Sequence, residues 1–181
     1  MRIGLGFDAH AFSPVGDNRP LVLGGVHIEG APGLAGWSDA DVVAHAIGDA
    51  LLGAANLGDL GTHFPKGAVA EGASSLSLLT DVARMVGDAG YGVANVDCVV
   101  VAQTVRVSPH RQAMAEALAA ALRLAAGQVS VKATTTDHMG FTGRGEGIAA
   151  DALALLQPRE PGVPGVPGVP QGLPDLRSVG R

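Results

Sequence analysis

The chain has 181 residues, which fits one domain and leaves no room for two of typical size. Apolar residues make up 47% of it and aromatic residues only 3%, so we expect a core of Ala, Val, Leu and Ile. A formal net charge of −5 with so few aromatic side chains excludes the basic face and stacking surfaces of a nucleic-acid-binding protein. The single cysteine excludes an intrachain disulfide framework, and no apolar run reaches the roughly 18 residues of a membrane span. We therefore expect a cytoplasmic protein with no membrane or nucleic-acid partner.

The first predicted elements are a strand over residues 2–10 and a hairpin over residues 20–29, which turns at Gly24-Gly25. Residues 38–41, Ser-Asp-Ala-Asp, form a capping-box pattern and predict a helix after them that ends at Gly58 or Gly61. We expect this helix to turn apolar side chains inward, among them Val42, Ala46, Ala50 and Leu51.

Apolar residues recur at intervals of three and four over residues 75–86 and predict a second helix. A valine-rich run over 95–102 predicts a buried strand, and Ser108 followed by Pro109 predicts a third helix to about residue 126. Residues 129–133 predict another strand, whereas residues 148–156 fit either element. This order predicts one α+β domain of mixed α/β type, in which helices pack on one face of a mixed sheet.

The composition changes sharply at Pro158. Residues 158–181 contain six of the eleven prolines and repeat Gly-Val-Pro three times between residues 162 and 170. Such a tract lacks hydrogen-bond donors and has a high backbone entropy, so it has little means of joining a core. We predict a folded domain over residues 1–157 and a flexible tail over residues 158–181, with a docking peptide as the alternative for the tail.

Asp8 and His10 lie two residues apart on the first predicted strand, so their side chains project to the same side. Zinc accepts both ligand types, although a hydrogen-bonded pair explains the pattern as well. His45 could supply a third ligand and complete the ligand count of a catalytic zinc with one open position. It also lies four residues from both Asp41 and Asp49, a spacing that a solvated helix face would produce equally.

A second pattern suits phosphate. The stretch 131–137 ends in three threonines and Asp137, and residues 140–147 place glycines around Arg144. Hydroxyl groups, open backbone N–H groups and a guanidinium all bind phosphate oxygens, and Asp137 could hold a second cation that prefers oxygen ligands. The alternative is an ordinary turn after β-favouring threonines.

A third candidate is the turn over residues 58–61, Gly-Asp-Leu-Gly. Its Asp59 could bind a substrate hydroxyl, although an aspartate in a glycine-rich turn needs no function. Ser74, Ser75 and Cys98 have no adjacent base in the sequence, so a nucleophilic triad is not predicted.

Together these strings resemble the 2-C-methyl-D-erythritol 2,4-cyclodiphosphate synthase family. The resemblance runs in order from residue 1 to about residue 157. Its most specific part is the pair of stretches 131–137 (Val-Lys-Ala-Thr-Thr-Thr-Asp) and 140–147 (Gly-Phe-Thr-Gly-Arg-Gly-Glu-Gly). Further matching strings are residues 2–10, 38–46, 49–55 and 58–61.

The resemblance implies an enzyme that converts 4-diphosphocytidyl-2-C-methyl-D-erythritol 2-phosphate to the cyclic diphosphate with release of CMP, in the non-mevalonate isoprenoid pathway. Asp8, His10 and His45 match the ligands of a zinc ion or another divalent transition metal, one per subunit. Asp137 matches a position that holds magnesium or manganese on the diphosphate, and Thr135 matches a residue that assists the transition state.

The resemblance also implies a homotrimer with sites between subunits and a hydrophobic central channel that can bind isoprenoid diphosphates. Phe7, Arg144 and Glu146 match channel-lining positions. The implied substrate-binding positions are Ser38, Asp59, Leu60, Gly61, Ala102, Arg106, Thr134, Thr135, Thr136, Asp137, Phe141 and Arg144.

Three positions depart from the family pattern. Trp37 stands where the family usually has a histidine that contacts phosphate in the transition state, and an indole offers one donor and cannot change charge. The loop after Phe64-Pro65 is usually acidic, whereas here it begins with Lys66. Residues 104–106, Thr-Val-Arg, replace a stretch that tends to contain proline and lysine.

The leading hypothesis is an active cyclodiphosphate synthase. The departures at Trp37 and Lys66 support a rival, a non-catalytic trimeric homologue that binds zinc or an isoprenoid diphosphate. A third hypothesis is a zinc phosphohydrolase, because a metal with an open position could also activate water.

Overall fold

The computed structural model describes residues 1–159, and these form one mixed α/β domain around a four-stranded sheet. The sheet has the order β1-β6-β4-β5, where β4 and β5 are parallel and the other pairs are antiparallel. Its strands are β1 (Arg2–Ala11), β4 (Tyr91–Val101), β5 (Val129–Thr134) and β6 (Gly147–Pro158). The predicted hairpin is present as β2 (Leu21–Leu23) and β3 (Val26–Ile28). The predicted mixed sheet is therefore confirmed.

Three helices of twelve or more residues cover one face of this sheet. Helix α1 packs on β1 and β6, α3 on β4, and α4 on β5. The α-helices are α1 (Val42–Ala55), α2 (Leu60–His63), α3 (Ser75–Asp88), α4 (Arg111–Leu122) and α5 (Gly140–Gly143). The four inward positions predicted for α1 are all buried.

The contact between β1 and α1 depends on two glycines. A Cβ atom on Gly4 would lie 1.9 Å from the backbone oxygen of Ala50, and one on Gly6 would lie 2.0 Å from that of Ala46. Real Cβ atoms do not approach backbone this closely, so α1 can lie on this strand only where side chains are absent. Because side chains alternate along a strand, the next two residues on the same face of β1 are Asp8 and His10.

Helix α1 begins directly after residues 38–41, as predicted, but has a different N-cap and ends earlier than the sequence predicted. Its N-cap is Asp41, whose Oδ1 accepts the backbone N–H groups of Val43 and Ala44, both at 3.1 Å. The capping box expected at Ser38 is therefore wrong. The helix ends at Asn56 in the left-handed conformation, before the two glycines that were expected to end it. Asparagine tolerates the left-handed conformation, so it can end a helix at a position where glycine is more common.

The third predicted helix is also corrected. Residues Ser108–His110 form a 3-10 turn, and α4 then runs only to Leu122, where Arg123 takes a left-handed conformation. A second 3-10 turn at Ala126–Gln128 leads into β5. The ambiguous segment 148–156 lies inside β6, which extends to Pro158. Of the predicted tail, residues 160–181 lie outside the described residues.

The sheet face opposite the helices carries exposed apolar side chains. Ile3, Leu5 and Phe7 on β1 are 73%, 68% and 56% exposed, and Leu153 on β6 is 48% exposed. Leu5 and Leu153 are cross-strand partners. We call this surface, Ile3, Leu5, Phe7 and Leu153, the open apolar face. Within residues 1–159, no helix is long and apolar enough to cross a membrane.

Candidate active site

The close packing of α1 on β1 brings His45 to the end of the strand. Asp8 Oδ2 lies 2.9 Å from His45 Nδ1 and 3.0 Å from His10 Nε2, and the two ring nitrogens are 3.2 Å apart. Among the residues that the structure describes, these three form the one group of three acidic, histidine or cysteine side chains that could share a metal ion. The predicted convergence of Asp8, His10 and His45 is confirmed.

The Asp8 carboxylate and the His10 ring stabilise each other's charged forms. Burial would raise the pKa of Asp8, but the hydrogen bonds and positive charges of His10 and His45 outweigh it and hold that pKa well below its usual range. The hydrogen bond that His10 donates to Asp8 in turn raises the pKa of His10 against the effect of burial.

These residues fit a divalent transition metal. Two imidazole nitrogens and one carboxylate oxygen, all within 4.8 Å of one another, are a donor set that zinc accepts and that leaves one position for substrate. The far nitrogen of each ring also has a partner. His10 Nδ1 lies 2.7 Å from the backbone oxygen of Ala35, and His45 Nε2 lies 2.9 Å from Ser75 Oγ. Such outer partners are typical of metal-binding histidines.

A cavity of about 240 Å³ opens beside the three residues. Its wall includes Ser38, Leu60 and Gly61, three positions that the sequence predicted to bind substrate, together with Trp37 and Asp49. Asp49 Oδ1 accepts the backbone N–H of Leu60 at 2.8 Å, so α1 holds the 58–61 turn against the cavity. Asp59 itself caps α2, because its Oδ1 accepts both the backbone N–H and the hydroxyl of Thr62.

The spacing of Asp41, His45 and Asp49 predicted that they lie along one face of α1, but they do not share one environment in the structure. Asp41 is fully buried and also accepts the N–H groups of Gly24 and Gly25, at 2.8 Å and 2.6 Å. It therefore ties α1 to the β2–β3 hairpin and takes no part in the cavity. Burial raises the pKa of Asp41 although these N–H groups oppose the shift.

Two of the departures from the family pattern meet at this cavity. The indole N–H of Trp37 donates to the backbone oxygen of Val69 at 2.9 Å, and Gly72 N–H donates to the Trp37 oxygen at 2.8 Å. These bonds hold the loop over residues 64–72 against the cavity. Lys66 is on this loop and also lines the cavity, so it adds a positive charge to the cavity wall.

The other predicted site residues form a second group. Strands β1, β4 and β5 run in the same direction, so the segments after β4 and β5 leave the same end of the sheet as Asp8 and His10. Three strand spacings, about 14 Å, separate β1 from β5. The second group does not line the cavity of the first. Its members are Ala102, Arg106, Thr134, Thr135, Thr136, Asp137, Phe141, Arg144 and Glu146.

Some polar groups of the second group already have partners within the chain. Thr136 Oγ1 donates to the backbone oxygen of Met139 at 2.6 Å, and Arg144 pairs with both carboxylate oxygens of Glu146 at 2.6 Å and 3.2 Å. The hydrogen bond from Arg144 lowers the pKa of Glu146. Thr135 and Asp137 are exposed, and Asp137 sits at a positive φ of 49° that turns the chain after β5.

Sequence reasoning missed four residues that shape the site: Gly6, Asp39, Asp49 and Ser75. Gly6 carried a usable signal, since glycine inside a strand marks a close backbone approach. Asp39 and Ser75 had none, because they meet only when the loop over residues 64–74 folds back on the start of α1. Burial raises the pKa of Cys98 to about 12, so its thiol stays protonated and is a poor nucleophile. The sequence likewise predicted no nucleophilic role for Cys98.

Comparison with known proteins identifies the class to which this fold and site belong. The model of the YgbB family matches residues 1–157. A relative from Moorella thermoacetica, named 2-C-methyl-D-erythritol 2,4-cyclodiphosphate synthase, is 55% identical over 161 residues, which are 88% of this chain and 97% of the relative. A relative of the same name from Rubrobacter xylanophilus is 53% identical over 157 residues, 86% of this chain and 94% of the relative.

Solved structures give the same result. The bifunctional IspDF of Campylobacter jejuni superimposes with a TM-score of 0.82 at 41% identity, over 87% of this chain and 42% of that one. The IspF–CDP complex of Plasmodium falciparum superimposes with a TM-score of 0.76 at 32% identity, over 88% of this chain and 97% of that one. The chain belongs to the YgbB family.

Proposed function

We propose that this chain is a 2-C-methyl-D-erythritol 2,4-cyclodiphosphate synthase. The observation that carries the proposal is the convergence of Asp8, His10 and His45 beside a cavity, in a chain 55% identical to a relative of that name. The substrate is 4-diphosphocytidyl-2-C-methyl-D-erythritol 2-phosphate, which has the two phosphorus centres that the reaction joins.

The reaction is an intramolecular phosphoryl transfer. An oxygen of the 2-phosphate attacks the β-phosphorus and forms a new P–O bond, while the bond from that phosphorus to the CMP oxygen breaks. CMP leaves with the electron pair of the broken bond, and the products are CMP and the cyclic diphosphate. Such a reaction needs charge neutralisation and in-line positioning more than it needs a protein nucleophile.

Asp8, His10 and His45 would hold zinc, or another divalent transition metal, one per subunit. When bound, the metal supplies Lewis-acid neutralisation of phosphate charge. Ser38, Leu60 and Gly61 form the wall against which the methylerythritol part is oriented, with Asp59 at the turn that presents them. Trp37 occupies the position of a phosphate-contacting residue, and its single N–H is donated to Val69.

The second group binds the nucleotide end. Ala102 and Arg106 follow β4 and line the cytidine site, a role consistent with the CDP named for the Plasmodium falciparum relative. Thr134 and Thr136 flank Thr135, which assists the transition state. Asp137 would hold magnesium or manganese, which would neutralise diphosphate charge, and the backbone around Phe141 and Arg144 contributes to the phosphate site.

The assembly is a homotrimer with the active site between subunits. Two observations support it: the two residue groups do not meet within one chain, and the open apolar face exposes four large apolar side chains. Phe7, Arg144 and Glu146 would line the central channel, which suits an isoprenoid diphosphate. We also propose that residues 1–157 are the catalytic domain, that residues 158–181 are an appendage, and that the protein is cytoplasmic.

The test measures CMP release from the diphosphocytidyl substrate with zinc and magnesium present. We expect release with formation of the cyclic product by the wild type, and loss of both zinc and activity in His45→Ala. The matched control is His27→Ala, an exposed histidine on β3 that does not line the cavity. A zinc-loaded wild type that releases no CMP, or a His45→Ala variant that keeps stoichiometric zinc, would contradict the proposal.

A further inference from the structure

The far side of the His45 ring contacts a buried serine. His45 Nε2 lies 2.9 Å from Ser75 Oγ, and Ser75 is 1% exposed. Ser38 Oγ lies farther from the same nitrogen, at 3.2 Å, and accepts the backbone N–H of Ala40 at 3.1 Å. The nearer serine is therefore the principal partner of Nε2.

The proton of the Ser75 hydroxyl has a definite place. The Ser75 hydroxyl donates to Asp39 Oδ1. Asp39 also accepts the backbone N–H of Ser75 at 3.0 Å and that of Asp41 at 3.2 Å, and an ionised carboxylate only accepts. A serine hydroxyl carries one proton, so when that proton is donated to Asp39 the Ser75 oxygen can only accept from His45. The proton between His45 and Ser75 therefore belongs to Nε2.

We propose that Asp39 and Ser75 are positioning residues that hold His45 in the tautomer with its proton on Nε2 and the lone pair of Nδ1 directed at the metal. The inference rests on the metal-binding part of the proposed function. Neither residue belongs to the group of Asp8, His10 and His45, and neither lines the cavity. A neutral imidazole can expose either nitrogen, and the hydrogen bond on one nitrogen decides which is free to ligate.

A hydrogen bond orients the ring of His10 in the same way, but it is made by Nδ1 instead of Nε2. Its Nδ1 donates to the Ala35 backbone oxygen at 2.7 Å, which leaves Nε2 to face Asp8. For His45 the partner is a side chain, and it comes from the first turn of α3. Ser74, the N-cap residue of that helix, makes no capping bond with its side chain, and Asp39 binds the free N–H of Ser75 instead. The start of α3 is thus joined to the metal site.

The test compares zinc affinity, measured by competition with a chelator, among the wild type, Ser75→Ala and Ser74→Ala. We expect Ser75→Ala to bind zinc about 10–100-fold more weakly, because mutations of such outer partners have effects of that size. Ser74→Ala is the matched control and should stay within about twofold, because its side chain is exposed and makes no cap bond. Equal affinities of Ser75→Ala and the wild type would overturn the proposal.

We call the hydrogen bonds from His45 to Ser75 and from Ser75 to Asp39 the relay. A second variant distinguishes loss of this relay from a simple loss of packing at Ser75. In Asp39→Ala the hydroxyl of Ser75 is intact but free to donate to His45 Nε2, which favours the wrong tautomer, so zinc affinity should again fall. Both residues act through one proton, so their effects on zinc affinity should not add. The zinc affinity of the double variant should be no lower than that of the single variant with the lower affinity. An unchanged affinity in Asp39→Ala, or fully additive losses, would contradict the relay.

The tautomer can also be observed without substitution. Nitrogen-15 NMR of the zinc-loaded wild type should show His45 protonated at Nε2, and protonation at Nδ1 would overturn the proposal. None of these measurements needs turnover, so equal zinc affinities would leave the proposed synthase intact. A wild type that binds no zinc would instead remove the metal site, and this inference with it.

Discussion

Gly6 on β1 lies directly against the backbone oxygen of Ala46 on α1, and a Cβ atom added to Gly6 would be 2.0 Å from that oxygen. The obstacle is backbone, so no side-chain rotation can relieve it. The helix would have to move away from the strand, and His45, the residue before Ala46, would move away from Asp8. The glycine thereby links the packing of the sheet to the geometry of the metal site.

We expect Gly6→Ala to lower the free energy of unfolding by about 3 kcal/mol, the upper end for an overpacked core, and to weaken zinc binding. Chemical denaturation and chelator competition measure the two effects. The control is Gly53→Ala on α1, where a Cβ atom would meet no heavy atom within 4 Å. It should be neutral or stabilise by up to about 1 kcal/mol, since alanine is the better helix former. Equal stability of the two variants would refute the close-packing argument.

Asp41 joins the start of α1 to the β2–β3 hairpin through N–H groups on both elements. Asp41→Ala removes the helix cap and leaves buried donors without an acceptor, so we expect a loss of about 3 kcal/mol in the free energy of unfolding. Denaturant unfolding measures it. Asp17→Ala, at an exposed loop position, should stay within about 0.5 kcal/mol of the wild type. A loss below 1 kcal/mol in Asp41→Ala would show that the carboxylate does not tie the two elements together.

Trp37 fixes the 64–72 loop through its bond to Val69. Trp37→Phe keeps the aromatic ring and removes the donor, so the loop should loosen and the KM for the diphosphocytidyl substrate should rise several-fold while zinc affinity stays unchanged. Trp37→His tests the departure from the family pattern. If the departure is a handicap, an added phosphate-contacting donor should raise kcat, by up to the order of 10²–10³ that loss of such a donor costs. Unchanged KM in Trp37→Phe would mean that the indole bond does not order the loop.

Lys66 is one of two lysines in the chain, and it brings a positive charge to a cavity wall that also carries Asp8 and Asp49. The substrate carries several phosphate charges, so we expect Lys66→Gln to raise KM about tenfold, equivalent to about 1.4 kcal/mol, with a smaller effect at high salt. Steady-state kinetics at two ionic strengths measure this. Arg84→Gln on the exposed side of α3 is the control for a change in net charge alone. Equal KM values for the two variants would remove Lys66 from the substrate site.

The proposed homotrimer predicts that the open apolar face lies in the subunit interface. Leu153→Glu places a charge at its centre, opposite Leu5, and a buried unpaired charge is costly, so we expect the trimer to dissociate. Light scattering coupled to gel filtration measures the mass. Val15→Glu, at a fully exposed loop position, should leave the trimer intact. A trimeric Leu153→Glu variant would place the interface elsewhere.

Local sequence patterns were enough to assign the residues that could carry the chemistry and most of the elements that hold them. Alternation along β1 is a local property, so Asp8 and His10 could be assigned to one face from their spacing alone. Apolar periodicity likewise placed α3, because it depends on residues a few positions apart. Helix ends were predicted less well. The Asp41 carboxylate that caps α1 also accepts two N–H groups of the hairpin, and no local pattern shows that contact.

Tertiary structure alone decided how those residues meet. His45 lies beside Asp8 because two glycines let a helix touch a strand, and Ser75 lies behind His45 because α3 starts where the chain returns to the site. These contacts join residues more than 25 positions apart, and no local preference encodes such a distance. The physical reason is that packing and buried hydrogen bonds are satisfied globally, across elements that a single stretch of sequence does not contain.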